Sequence, residues 1–172
     1  LSVPVERAEN ARGFVIPYGD CPLDEDMVGQ RVYMDMLNRA TDYAWIMTPY
    51  LILDDKITAA LLTAAKSGLD VRIITPHVPD KWYVHAVSRA HYEVLTEAGV
   101  RIYEYSPGFI HSKVYLVDER YAVCGTVNLD FRSLYLHFEN AVYLFAATCT
   151  AAIAEDFQQT FPVCEEITWR HC

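Results

Sequence analysis

The sequence predicts an α/β fold in which a mixed β-sheet is flanked by helices on both faces. Through the first two thirds of the chain, short apolar runs alternate with amphipathic segments of helical period, which is typical of βαβ units. The last third contains two apolar runs joined by the tight turn Asp118-Glu119-Arg120, which predicts a hairpin and therefore antiparallel strands. We expect one domain over residues 13–168, preceded by a linker or incoming connection at residues 1–12.

Strands and helices alternate in order through the first two thirds of the chain. The predicted strands are residues 13–18, 43–47, 71–74 and 100–105, and the predicted helices are residues 28–40, 56–66 and 80–98. Asp54, Asp55 and Asp80 stand at helix N-termini, where carboxylates stabilise the free N–H groups. Gly68 and Gly99 follow the second and third helices and indicate their ends.

The last third of the chain is predicted to contain the hairpin, one further strand and a closing helix. Residues 112–117 and 121–124 are its two predicted strands, residues 140–145 are a further strand, and residues 151–161 are a closing helix. Because hairpin strands are antiparallel, this part of the sheet cannot continue the parallel order of the first part.

Composition limits the function classes. Lys and Arg total 14 against 23 for Asp and Glu, which gives a formal net charge of −9. Such a chain lacks the positive field of non-specific nucleic-acid binders and of polybasic membrane patches, so nucleic acid is not a favoured partner. The five cysteines are odd in number and show no C-x2-C spacing, which argues against a disulfide framework and a zinc knuckle. No apolar run approaches the ~20 residues of a membrane span.

One motif dominates the sequence: H-x-K-x4-D-x6-G-[ST]-x-N. A lone histidine on a strand is usually structural, and a lone lysine is usually a solvated surface residue. The joint spacing reverses that interpretation and favours a phosphodiester site. The fixed positions of the motif are His111, Lys113, Asp118, Gly125, Thr126 and Asn128.

The residue types of the motif suit a phosphate group. Lys113 supplies a positive charge for the non-bridging oxygens, where charge must be held during transfer. Asn128 can donate its amide N–H to the same oxygens. Gly125 allows a close approach of the backbone, and Thr126 can add a hydroxyl or a backbone N–H. We therefore expect these four residues to bind the substrate phosphate.

His111 is the expected reacting group, and two roles are open to it. Its imidazole can attack phosphorus or donate a proton to the leaving oxygen, because it titrates near neutral pH. Placed two residues apart on a predicted strand, His111 and Lys113 should leave the same face. Glu139 opens the next strand and could fix the imidazole tautomer. Asp118 has the opposite parity, so we expect a supporting role in the catalytic site, holding the turn or nearby donors.

With these residues the chain resembles the phospholipase D superfamily, and more closely the C-terminal half of bacterial cardiolipin synthases. The motif carries the superfamily resemblance, and neighbouring segments that span roughly residues 13–168 carry the narrower one. His137 departs from the pattern, since many members have Asn there. The supporting segments are Pro17-Tyr18-Gly19-Asp20, Thr48-Pro49-Tyr50-Leu51-Ile52, Ile73-Ile74-Thr75-Pro76 and Gly125-Thr126-Val127-Asn128-Leu129-Asp130-Phe131-Arg132-Ser133.

The resemblance implies a phospholipase D/nuclease-like fold and a mechanism. Family active sites combine two motifs across a pseudo-twofold interface, need no metal or other cofactor, and pass through a phosphohistidine. His111 would then act as general acid and base rather than as nucleophile, with Glu139 orienting its ring. The implied reaction joins two phosphatidylglycerol molecules into cardiolipin and releases glycerol.

The resemblance also implies partners and a location. The anionic phospholipid would be the substrate, and the other half-site would come from the N-terminal motif of the same protein or from a symmetric second copy. The isolated half is expected to be inactive alone. The full-length protein would work at the cytoplasmic face of the bacterial membrane, with its anchor outside this soluble chain.

Two alternatives remain open from the sequence. One is a homodimeric nuclease-type phosphodiesterase, which the acidic balance disfavours. The other is a non-enzymatic domain that serves only as an interaction partner for another half.

Overall fold

A computed structural model describes residues 11–23 and 26–168 of the chain. In this part, the longest helices are far too short and polar to span a membrane. The strands are β1 (Phe14–Asp20), β2 (Tyr43–Met47), β3 (Leu51–Ile52), β4 (Asp70–Pro76), β5 (Arg101–Tyr105), β6 (Val114–Val117), β7 (Tyr121–Gly125), β8 (Leu129–Asp130), β9 (Glu139–Phe145) and β10 (Cys164–Ile167). The helices are α1 (Val28–Arg39), α2 (Asp55–Lys66), α3 (Trp82–Ala90), α4 (Tyr92–Glu97), α5 (Phe131–Tyr135) and α6 (Thr150–Thr160).

The predicted mixed sheet is confirmed. Eight strands form one sheet in the order β1-β9-β7-β6-β2-β4-β5-β10. The neighbours β2, β4 and β5 are parallel, as βαβ connections require, and the other pairs are antiparallel. The short strands β3 and β8 pair with each other in a separate parallel ribbon.

Both faces of the sheet are covered, because consecutive residues of the central strands point to opposite sides. Ala44 and Ile46 of β2 join the cluster formed with α1 and α2, where Leu61 is fully buried. Trp45 and Met47 join the opposite cluster, which includes Phe157 of α6. The sequence expectation of helices on both faces therefore holds.

Several boundaries differ from the sequence prediction. The helix predicted at 80–98 is two helices, α3 and α4, separated at His91. Asp80 does not cap α3, because its carboxylate accepts a hydrogen bond from the Tyr50 hydroxyl at 2.7 Å. The strand predicted at 112–117 begins only at Val114. Residues 1–10 of the predicted linker lie outside the described residues. The elements that the sequence analysis missed are β3, β8, α5 and β10.

The β6–β7 hairpin is tied to the start of β2 by one carboxylate. Asp118 and Glu119 both have positive φ, 52° and 51°, which is typical of a type I′ turn, here within a three-residue connection between the paired strand ends. The Asp118 carboxylate accepts from the backbone N–H groups of Thr41, Asp42 and Tyr43 at 2.8, 3.0 and 2.8 Å, and from the Thr41 hydroxyl at 2.9 Å. Burial acts to raise the pKa of Asp118, but these bonds outweigh it and lower the pKa below 3.8.

Replacement of Asp118 should destabilise the fold. Asp118→Asn retains a residue that tolerates positive φ but removes the charge that the N–H groups contact. We expect urea denaturation at neutral pH to show a loss of about 2 kcal/mol in the free energy of unfolding. Asp156→Asn, at an exposed position of α6, is the control and should change little.

The stability difference between the wild-type chain and Asp118→Asn has a defined pH dependence. Because the folded-state pKa of Asp118 is depressed, its stabilisation is complete above the unfolded pKa and is lost as pH falls below 3.8. The stability difference between the wild-type chain and Asp118→Asn should therefore shrink in acid. A difference that stays constant from neutral pH into this range would contradict the assignment.

Candidate active site

The topology brings the motif to one edge of the sheet. β2 ends where β6 begins, since Met47 pairs with Val114, and β7 ends beside the same residue. The parallel strand β4 ends at this edge too, and β9 begins there. The segments that follow β2 and β4 and those that precede β6 and β9 therefore converge. The residues delivered to this edge are Tyr50, Asp80, His111, Lys113, Gly125 and Glu139.

Lys113 is the buried cation of the site. It is only 9% exposed, and its Nζ donates to the backbone carbonyl of His111 at 2.7 Å. Burial lowers its pKa, while the charges of Glu139 and Asp130 act in the opposite direction. Those carboxylates are 9% and 7% exposed. The ammonium thus lies among buried carboxylates, which offset part of its desolvation cost.

His111 lies above this cation and is exposed. Both residues precede β6, so the expectation that they share a strand face is wrong. Instead, the Lys113 side chain turns to the backbone of His111. Their proximity still has an electrostatic effect. Burial lowers the pKa of His111 below 6.5, the Lys113 charge lowers it further, and Asp80 opposes both.

Two aromatic rings flank the imidazole. The Tyr50 ring meets His111 edge-on at 6.1 Å between centroids, and Phe109 lies at 5.4 Å. Tyr50 is held by its hydrogen bond to Asp80. The sequence analysis missed this group because it assigned Asp80 to a helix cap. The signal was present in the strand order, since Tyr50 and Asp80 each follow the end of a parallel strand, where sites commonly form.

Glu139 does not contact the imidazole of His111, and this corrects the sequence expectation. Its carboxylate accepts from the Thr126 hydroxyl, and its second oxygen lies 3.6 Å from Nδ1 of His137. β7 lies between β9 and β6, which separates their ends by about 10 Å. Within residues 11–23 and 26–168, no carboxylate hydrogen-bonds the His111 ring.

Close packing or hydrogen bonds to neighbouring residues fix the other three motif residues, Gly125, Thr126 and Asn128. A Cβ on Gly125 would lie 2.4 Å from the Cβ of Ala141, so the neighbouring strand requires glycine here. Thr126 donates its backbone N–H to the carbonyl of Asn140 at 2.9 Å. The Asn128 amide donates to Ser133 Oγ at 2.8 Å, whereas its Oδ1 is buried without a partner.

Asp118 is separated from the other motif residues. It follows the end of β6, beside the start of β2, at the opposite edge of the sheet from His111. Its contacts are those of the hairpin turn described above. The expected supporting role remains a prediction, and any effect on catalysis would pass through the placement of β6.

Comparison with known proteins gives the family. The model described as "Cardiolipin synthase, PLD-like domain" matches residues 33–161. An uncharacterised protein of Streptococcus mutans is 50% identical over 158 residues, which are 92% of this chain and 34% of that protein. The cardiolipin synthase of Geobacillus thermodenitrificans is 42% identical over 161 residues, 94% of this chain and 32% of that enzyme.

Solved structures share the fold. Nuc from Salmonella typhimurium, a phospholipase D family member, superposes with a TM-score of 0.76 at 19% identity, covering 91% of this chain and 99% of Nuc. The chain spans about a third of the length of the curated relatives above. Because the family model matches well over half of the residues, the chain belongs to the phospholipase D-like domain family of cardiolipin synthases.

Proposed function

We propose that the chain supplies half of a phosphatidyltransferase active site, which joins two phosphatidylglycerol molecules into cardiolipin and releases glycerol. The observation that carries this proposal is an exposed imidazole, His111, directly beside a buried ammonium, Lys113. The similarity to cardiolipin synthases supports the substrate.

Lys113 would hold the phosphate. An ammonium has three N–H donors, and the carbonyl of His111 takes one, so two remain for non-bridging phosphate oxygens. The negative charges of Glu139 and Asp130 favour the charged form of this lysine before the lipid binds. A fixed positive charge at this point would stabilise the negative charge of the transition state.

The lowered pKa of His111 favours its neutral form at neutral pH. A neutral imidazole has a free lone pair, which can attack phosphorus or accept a proton. In the first step, one imidazole forms an N–P bond, and glycerol leaves with a proton from an acid. In the second step, a hydroxyl of another phosphatidylglycerol attacks phosphorus, so that a new O–P bond forms and the N–P bond breaks. The hydroxyl gives its proton to the group that acted as the acid in the first step.

Two imidazoles are therefore needed, one bonded to phosphorus and one carrying the proton. The family likeness assigns the proton-transfer role to His111, which would carry a proton in the first step and accept one in the second, so its lowered pKa favours release of the proton to glycerol. The second imidazole, bonded to phosphorus, would come from a second motif. That motif would belong to another part of the same protein or to a second copy of this chain. In either arrangement the site would lie at a membrane surface that contains phosphatidylglycerol.

We expect motif substitutions to abolish transfer. The test protein is a chimera in which this chain replaces the matching segment of the Geobacillus thermodenitrificans relative. His111→Ala removes the reacting group and Lys113→Gln removes the phosphate-binding charge, so each should lower glycerol release and cardiolipin formation at least ~10²-fold. Lys66→Gln, at the end of α2, is the control for loss of a lysine. Activity of either motif variant near that of Lys66→Gln would refute the proposal.

The isolated chain should be a monomer without lipid turnover, because it holds one motif. Light scattering and glycerol release from phosphatidylglycerol vesicles test this directly. A dimer that forms cardiolipin would show that a second copy completes the site. A dimer that cleaves DNA in the presence of a chelator, and not lipid, would instead support the nuclease alternative and refute the phosphatidyltransferase.

The charges around His111 predict a titration pattern. In NMR titrations of the chain, His111 should have a pKa below 6.5. Lys113→Gln should raise that pKa, because it removes a positive charge, and Asp80→Asn should lower it. His91, whose pKa is lowered by burial alone, is the internal control and should not move in either variant. Shifts of opposite sign at His111 would show that the site is arranged differently.

A further inference from the structure

A cavity of about 520 Å³ lies next to the motif and shares Tyr50, Asn128 and Asp130 with the site described above. Its size is within the usual range of small-molecule sites. Asn128 and Asp130 form the wall nearest the motif. Because the charge of Asp130 also acts on Lys113, the cavity adjoins the proposed phosphate position. Apolar side chains form much of the remaining wall, namely Ile52, Val84, Val87 and Phe131.

Two cations face this cavity, Lys81 and Arg132. Neither forms an ion pair with a carboxylate in the described part of the chain. Five other arginines of the described residues, by contrast, are paired with carboxylates. The paired arginines are Arg31, Arg39, Arg72, Arg89 and Arg101. Two unpaired cations beside apolar walls are complementary to an anion that carries hydrocarbon.

The acidic residue in the wall does not cancel this charge. One oxygen of Asp130 accepts from the backbone N–H of Ser133 at 2.8 Å and caps α5, and the carboxylate also faces Lys113. Its charge is therefore offset by groups outside the cavity. Lys81 and Arg132 retain theirs for a ligand.

The amide of Asn128 indicates a hydroxyl in the ligand. Its Oδ1 is buried without a hydrogen-bond partner, which costs free energy unless a bound group supplies one. A hydroxyl can satisfy this amide in either of its orientations, because it both donates and accepts. The cavity thus combines sites for an anion, a hydroxyl and hydrocarbon, and a glycerophospholipid with a glycerol headgroup presents all three.

We propose that this cavity binds the acceptor phosphatidylglycerol, with its phosphate between Lys81 and Arg132 and its headgroup glycerol at Asn128. This inference rests on the proposed function. The acceptor hydroxyl would then reach the phosphorus held at Lys113 across the shared wall. Its oxygen forms the O–P bond, the N–P bond to the second imidazole breaks, and the hydroxyl proton passes to His111.

The mouth of the cavity provides a path for the acyl chains. Tyr83 and Phe131 line the cavity and are 53% and 51% exposed. Next to them in the sequence, Trp82 is 78% exposed. The amphipathic side chains of tyrosine and tryptophan favour the membrane interface. The acyl chains could therefore remain in the bilayer while the headgroup enters the protein.

Binding can be tested with the isolated chain. The probe is dihexanoyl phosphatidylglycerol below its micelle concentration, followed by amide chemical shifts in NMR. The double variant Lys81→Gln/Arg132→Gln should weaken binding at least tenfold. The double variant Lys66→Gln/Arg120→Gln, with the same loss of charge at exposed positions away from the cavity, should bind like wild type. Equal affinity of the two double variants would overturn the proposal.

A second pair of variants keeps the test valid if the cation variants misfold. Val87→Glu introduces a negative charge into the cavity wall on α3 and should also weaken binding at least tenfold. Val94→Glu, at a similarly exposed position of α4, is the matched control, since the two valines are 45% and 41% exposed. Inorganic phosphate or a short oligonucleotide that binds this site as tightly as the lipid would overturn the choice of ligand.

In the chimera, the partition of products separates this inference from the proposed function. Water that replaces the acceptor would yield phosphatidic acid, so Lys81→Gln/Arg132→Gln should lower the ratio of cardiolipin to phosphatidic acid at least fivefold while glycerol release continues. An unchanged ratio, with His111→Ala still inactive, would refute the acceptor cavity alone. Activity that persists in His111→Ala would refute the proposed function instead.

Discussion

The buried ammonium of Lys113 is the constraint on which the site depends. A lysine that is 9% exposed is stable only if other groups compensate for lost hydration, and here one carbonyl and two buried carboxylates do so. Each compensating group fixes another element: the carbonyl belongs to His111, Asp130 caps α5, and Glu139 holds Thr126. The cost of burying one charge therefore organises His111 and the surrounding polar groups before any substrate binds.

Strand register explains why these groups meet. The antiparallel pairing of β6 with β2 places the start of one beside the end of the other, and the parallel pairing of β4 adds a second strand end. The same register places Asp118 at the far edge, where its four hydrogen bonds fix the hairpin and the start of β2. The motif therefore combines residues of two edges: those near Lys113, for which we propose a role in the chemistry, and Asp118, which fixes the position of β6.

Much of the fold could be predicted because its signals are local. The strand at residues 43–47 matches β2 in full, since a continuous apolar run between polar turns needs no tertiary information. The strands β3 and β8 have two residues each, and their pairing depends on a partner distant in sequence. The contacts within the site were predicted wrongly for the same reason. Parity could not show that the strand begins only after Lys113, and proximity in sequence could not show that β7 separates Glu139 from His111.

Net charge was the weakest guide, and the structure shows why. A formal charge of −9 disfavours anionic partners only if charge is spread evenly, yet a charge acts over about 8–10 Å in physiological salt. Many arginines are paired with carboxylates on other surfaces, whereas Lys81, Lys113 and Arg132 lie around the motif. A headgroup at this edge would meet these three cations, whose effect the carboxylates Asp130 and Glu139 partly offset, while the acidic remainder of the surface would repel polyanions that have to extend across it. Under the proposed function, this distribution would favour a small phosphodiester over a long nucleic acid.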